Sequence, residues 1–178
     1  MKCLMPRWSA QLRQTGLQKN LVSWLKETHS LTQRGQRTFH HFSVQPLFEG
    51  QVLGMAQSRP LHTVREVVLL ADGHPFIFAH SVLGGVPRGV LGRWLRGLGN
   101  RSLGTMLFRH PGIQRDELQF ARLDVRHALY QVCCKQLAAF HHSIQGPLWA
   151  RRSKHRYAGQ TICVIEVFVG LTEGHHTR

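Results

Sequence analysis

Two charged residues stand inside runs of apolar, mostly β-branched residues, and these are the places where the chain could do chemistry. Arg65 lies in HTVREVVLLA and Glu166 in TICVIEVFV. A strand presents alternate residues to opposite faces, so Arg65 shares a face with Val67 and Leu69, and Glu166 with Ile162, Val164 and Phe168. A charge on such a face is costly unless it is paired or reaches water. The residues alone leave two readings open. Either Arg65 and Glu166 are rim residues or a buried ion pair, or they border a pocket between a sheet and its covering helices. In the pocket reading, Arg65 offers a planar fork to a ligand carboxylate. Glu166 is then a hydrogen-bond acceptor or an acid/base group among apolar neighbours.

Other residue types offer less. There are 13 histidines, but His40-His41, His141-His142 and His175-His176 are adjacent pairs that point apart on a strand, and no HExxH occurs. No metal is expected. His80 falls on the face of Phe76, Phe78 and Val82 and reads as a hydrogen-bonded core or pocket-wall residue rather than a catalyst. Gly84, Gly85, Gly97, Gly99 and Gly104 form neither GxGxxG nor GxxxxGK[ST] and read as turns and helix ends. No nucleophile elbow is present, and no cysteine has the setting of a catalytic thiol. Cys3, Cys133, Cys134 and Cys163 lack paired metal spacing, and neighbouring cysteines make strained disulfides, so a reducing compartment is expected.

The elements that must position Arg65 and Glu166 are two hairpins. TVREVVLLADGHPFIFAHSVL turns at Asp72-Gly73, a pair suited to positive φ, and predicts strands over 63–71 and 76–83. RRSKHRYAGQTICVIEVFVGL turns near Gly159-Gln160, and its almost continuous apolar second strand is expected to be central. Leu21, Trp24 and Leu25 after Asn20 predict a helix to about Ser30, and Val90, Leu91, Trp94, Leu95 and Leu98 predict a second. A short helix is expected over 102–108. A third longer one, capped by Asp124, carries Leu129, Val132, Cys133, Leu137 and Phe140. Residues 31–41 read as polar connection, and Phe42 to Phe48 as an extended segment that Pro46 keeps irregular or at an edge. Hairpins with helices between them imply the α+β class, an antiparallel sheet covered on one face.

At 178 residues the chain is expected to form one domain over 1–178. Its 42% hydrophobic and 18% charged residues can bury a core, which excludes a disordered basic tail. A formal charge of +14 invites a nucleic-acid partner, but the basic residues form no zinc-finger, basic-zipper or RNA-binding signature. Even Arg151, Arg152, Lys154, His155 and Arg156 read as the start of a strand. The N-terminal residues contain no apolar stretch suited to a signal peptide or membrane span, so a cytoplasmic protein is expected.

Three blocks in order, VREVVLLADGHPFIFAHSVL, LGNRSLGTMLF and GPLWARRSKHRYAGQTICVIEVF, together resemble the chorismate lyase family, with SWLKETHSLTQR a weaker match near the N-terminus. The resemblance implies about six antiparallel strands with helices over one face and a pocket sealed beneath helical flaps. It implies conversion of chorismate to 4-hydroxybenzoate and pyruvate for ubiquinone synthesis, without metal or organic cofactor, by a monomer with no nucleic-acid partner and no membrane insertion. Carried over by position, Arg65 takes the ligand carboxylate, Glu166 meets its hydroxyl end, and Leu103 and Leu31 contribute main-chain contacts. His80 stands where some members carry Arg. A non-catalytic sensor or carrier of small aromatic acids with the same fold is the alternative.

Overall fold

The computed structural model describes residues 6–12, 16–53 and 61–171. Cys3 and the His175-His176 pair lie outside them. Seven strands form one antiparallel sheet: β1 Phe42–Leu53, β2 Leu61–Ala71, β3 His74–Gly84, β4 Gln114–Arg115, β5 Gln119–Leu123, β6 Leu148–Tyr157 and β7 Gln160–Phe168. Their order is β1-β2-β3-β7-β6-β4, and β5 also pairs with β6. The apolar strand β7 is central, as its composition requires.

Both hairpins form where small turn residues allow positive φ. Asp72 and Gly73 have φ of 49° and 85°, and in the second turn Ala158 and Gly159 have 48° and 72°. Among the described residues there are five α-helices: α1 Lys19–Leu25, α2 Leu31–Thr38, α3 Gly89–Arg96, α4 Leu103–Arg109 and α5 Ala128–Leu137. Leu21, Trp24, Leu25 and Leu31 of α1 and α2 pack on Val67, Leu69, Ile77, Ala79 and Phe168. Leu91, Leu95, Leu103 and Leu107 of α3 and α4 pack on Leu83, Ile162 and Val164 of the same face.

The α+β antiparallel architecture agrees with expectation, and three details go beyond it. First, α5 packs Tyr130, Cys133 and Leu137 on the opposite face, against Val68, Phe78, Ala150 and Val167. Second, residues read as polar connection form α2, an eight-residue helix that buries only Leu31, Thr32 and Gly35. Its capping residue Ser30 accepts a hydrogen bond from the Gln33 amide at 3.4 Å. A side chain on Gly35 would meet the Phe42 ring, so glycine there lets α2 lie close on β1. Third, β2 and β3 change register between Leu69 and Leu70. An extra residue reverses facing, so Phe76 leaves the face of Phe78 and joins Trp24, its ring centroid 4.9 Å away. Helix α5 is capped by His127 rather than Asp124.

Candidate active site

Arg65, Leu31, Leu103 and Glu166 line one small cavity between the sheet and the helices. Register explains how strands far apart in sequence bring them together. Arg65 on β2 faces Ser81 on β3, which faces Val164 on β7, and Val67 faces Ala79, which faces Glu166. The two charged residues are therefore two strands and two residues apart, about 10 Å across the sheet and about 7 Å along it. Ala79 and Ser81 form the floor between them, and Val67, Leu69 and Phe108 add apolar wall.

Leu31 and Leu103 are the first residues of α2 and α4. First-turn amides have no partner within their helix, so both helix starts can offer main-chain N–H groups to an acceptor. The two starts are tied to each other. Thr32 Oγ1 donates to Ser102 Oγ at 2.8 Å, and the hydroxyls of Ser30 and Thr105 lie 3.3 Å apart. Ser30 and Ser102 thus cap their own helices and join the two across the roof of the cavity.

Arg65 is almost fully buried. Its Nη1 donates to Glu49, and its Nη2 donates to the carbonyls of Gly99 at 2.5 Å and Arg101 at 3.4 Å. Among the described residues its Nε is buried without a partner. Arg65 lines the cavity beside leucine, valine and alanine, a setting in which a buried guanidinium donor ordinarily finds an acceptor.

Glu166 is held differently from the apolar setting that its strand suggested. Arg151 on β6 faces it across the ladder, and Arg151 Nε donates to Glu166 Oε2 at 2.6 Å. The same guanidinium donates from Nη1 to the carbonyls of Leu25 at 3.3 Å and Glu27, closing the end of α1. Only Oε2 is taken, so among the described residues Oε1 remains free to meet a ligand. Arg65 and Glu166 are not each other's partner: Arg65 pairs with Glu49 and Glu166 with Arg151.

Arg151 was legible only as part of a basic stretch, yet it is 1% exposed. Alternation in WARRSKHR was the available signal, because Arg151, Ser153 and His155 share the buried face. His155 lies two residues further along the same face. Burial, aided by the Arg115 charge, lowers its pKa to about 4, and its Nε2 lies 3.0 Å from the Ser153 hydroxyl.

His80 faces the other side of the sheet, where its Nδ1 lies 2.9 Å from Glu66 Oε1 while Gln136 donates to Glu66 Oε2 at 2.6 Å. It is a hydrogen-bonded residue beneath α5 and does not line the cavity. Burial pushes the Cys133 and Cys163 thiols upward, away from thiolate chemistry. Among the described residues, no three His, Cys, Asp or Glu side chains cluster as a metal site would need.

The cavity measures only about 30 Å³, whereas a benzene-sized ligand occupies a cavity of about 150 Å³. On the far side of the Thr32–Ser102 contact is an open cleft of about 840 Å³, lined by Arg93, Arg101, Arg109, His110 and Trp94. Cavity and cleft share Thr32 and Ser102 as walls.

The chorismate lyase family model matches residues 7–176. A probable chorismate pyruvate-lyase of Dechloromonas aromatica is 44% identical over 156 residues, covering 84% of this chain and 86% of that protein. Proteins of the same description from Nitrosospira multiformis and Thiobacillus denitrificans are 39% and 37% identical. They cover 82% and 88% of this chain and 84% and 92% of their own lengths.

Proposed function

The chain belongs to the chorismate lyase family, and from that membership we propose that it eliminates pyruvate from chorismate, leaving 4-hydroxybenzoate, with Arg65 and Glu166 at the two ends of the ring. The observation that carries this reading is the cavity itself. Among the described residues it has a buried guanidinium with an unsatisfied Nε at one end and a carboxylate with one free oxygen at the other, separated by a floor of Ala79 and Ser81.

In the reaction the ether bond between ring carbon and enolpyruvyl oxygen breaks, and its electron pair leaves with enolpyruvate. The hydroxyl-bearing ring carbon loses its proton, and the ring becomes aromatic. Enolpyruvate gains a proton at its methylene carbon and becomes pyruvate, so atoms and charge balance. Aromatisation supplies the driving force, and the protein's task is to orient a dianion and shelter the departing group.

In this assignment Arg65 takes the ring carboxylate, joined by the main-chain N–H groups at the starts of α2 and α4 beside Leu31 and Leu103. Glu166 Oε1 accepts from the ring hydroxyl and assists proton movement at that carbon. Arg151 keeps Glu166 turned toward the ring. The basic cleft is the mouth, and its three arginines together with the +14 formal charge draw a dianion toward it. Parting of α2 from α4 admits substrate and frees product, a step that limits turnover.

The proposal extends to a cytoplasmic monomer that serves ubiquinone synthesis. None of the described helices is long and apolar enough to cross a membrane. Incubation of purified protein with chorismate tests the central reading, with 4-hydroxybenzoate and pyruvate expected in one-to-one yield. Binding of 4-hydroxybenzoate without release of pyruvate from chorismate would favour an aromatic-acid carrier and overturn the lyase reading.

A further inference from the structure

Edge strand β1 delivers a carboxylate to Arg65 through an irregularity in its pairing. Pro46 faces Val67, but the next residue to pair, Phe48, faces Glu66, so Leu47 is an extra residue. Continuous pairing would set Phe48 opposite Arg65. The bulge sets Glu49 there instead, and such bulges commonly re-aim side chains beside functional sites.

The two partners differ sharply in surroundings. Arg65 is 5% exposed and Glu49 is 42% exposed. Without a partner, the Arg65 charge would stay buried, whereas the Glu49 carboxylate can swing into water at little cost. The pair thus joins an exposed carboxylate to a buried guanidinium. The cavity beside Arg65, at about 30 Å³, is far too small for an aromatic ring.

Resting on the reading of the site given above, we infer that Glu49 is an internal counter-ion that occupies Arg65 in the empty protein and competes with ligand carboxylates for it. Substrate enters by displacing Glu49 from the guanidinium. Product leaves more readily because Glu49 returns, which neutralises Arg65 as the ligand carboxylate departs. Competition of this kind weakens substrate and product binding together and exchanges affinity for release rate.

Glu49→Gln, which keeps shape and removes charge, tests the inference alongside Glu49→Asp, which keeps charge and shortens the reach. Calorimetric titration with 4-hydroxybenzoate is expected to show about tenfold tighter binding in Glu49→Gln, and about threefold in Glu49→Asp, the size of one charge-assisted contact removed from competition. With chorismate, KM and kcat are expected to fall together, because substrate binds better and product leaves more slowly. A Glu49 that merely steadies Arg65 gives the opposite sign, with weaker product binding and a raised KM. Weaker or unchanged binding in either variant overturns the inference. A wild-type protein that neither binds 4-hydroxybenzoate nor converts chorismate overturns the reading of the site itself, and the inference with it.

Discussion

Arg151 Nε donates to Glu166 Oε2 at 2.6 Å while its Nη1 holds carbonyls at the end of α1, so one buried guanidinium fixes both a proposed catalytic carboxylate and the helix above it. The residue before it on that face, Trp149, and the one after, Ser153, are buried too. Arg151 is a positioning residue in this account.

Replacing Arg151 therefore has two consequences. Arg151→Met leaves the half-buried Glu166 carboxylate without its partner, a loss of about 1–3 kcal/mol. Urea unfolding is expected to show that loss. In Arg151→Lys, which keeps charge but cannot span Glu166 and the α1 carbonyls together, kcat is expected to fall about tenfold or more while KM moves little. An unchanged kcat would remove Arg151 from the positioning role.

Arg65→Ala deletes the carboxylate partner at the other end of the cavity. Loss of a buried charge-assisted contact to an anion is expected to raise KM for chorismate about a hundredfold. Steady-state pyruvate release measured over a wide substrate range checks this. Arg65→Lys is expected to recover only part of the loss, since an ammonium cannot reproduce a planar fork.

Thr32 and Ser102 tie α2 to α4 between the cavity and the basic cleft. Thr32→Val removes the donor and keeps the side-chain shape. One hydrogen bond is worth about 0.5–1.5 kcal/mol, so dissociation of 4-hydroxybenzoate is expected to quicken about two- to tenfold in stopped-flow displacement. If release limits turnover, kcat rises with it. A dissociation rate equal to that of the wild type would show that the helices part elsewhere.

His155 gives the fold a definite acid sensitivity. Its pKa in the folded protein is about 4, against an ordinary value of 6.5, because burial and Arg115 disfavour the charged ring. Between those values the unfolded chain binds the extra proton, so stability rises with pH there. Full stabilisation is present above pH 6.5 and is lost as pH falls toward 4, by up to about 3 kcal/mol. Unfolding free energies of wild type and His155→Gln, measured from pH 7 to pH 4.5, are expected to converge as pH drops. Parallel curves would contradict the assignment.

The readable parts of the fold were those in which one local signal decides the structure. Asp72-Gly73 between two apolar runs defines a hairpin by turn chemistry, and the uninterrupted apolar run around Val164 and Val167 marks a central strand. Alternation likewise put Arg65 and Glu166 on the cavity face. Other features depend on long-range packing. Helix α2 has one large apolar residue, Leu31, and Gly35 lets it lie close on Phe42 of β1. Phe76 changed faces because of a bulge, and Glu49 met Arg65 because of another. Register shifts of this kind carry no compositional mark. Arg151 was hidden for another reason, since one buried arginine among five basic residues looks like the solvated ones until the strand's facing is fixed.

Turnover of chorismate by Glu166→Ala most directly tests the claim that a guanidinium and a carboxylate at opposite ends of one cavity perform the elimination. Pyruvate release from purified, folded Glu166→Ala protein at saturating chorismate is expected to fall at least a hundredfold below wild type, with 4-hydroxybenzoate appearing in the same reduced proportion. Turnover at the wild-type rate would contradict the account, because the hydroxyl end of the ring would then need no carboxylate.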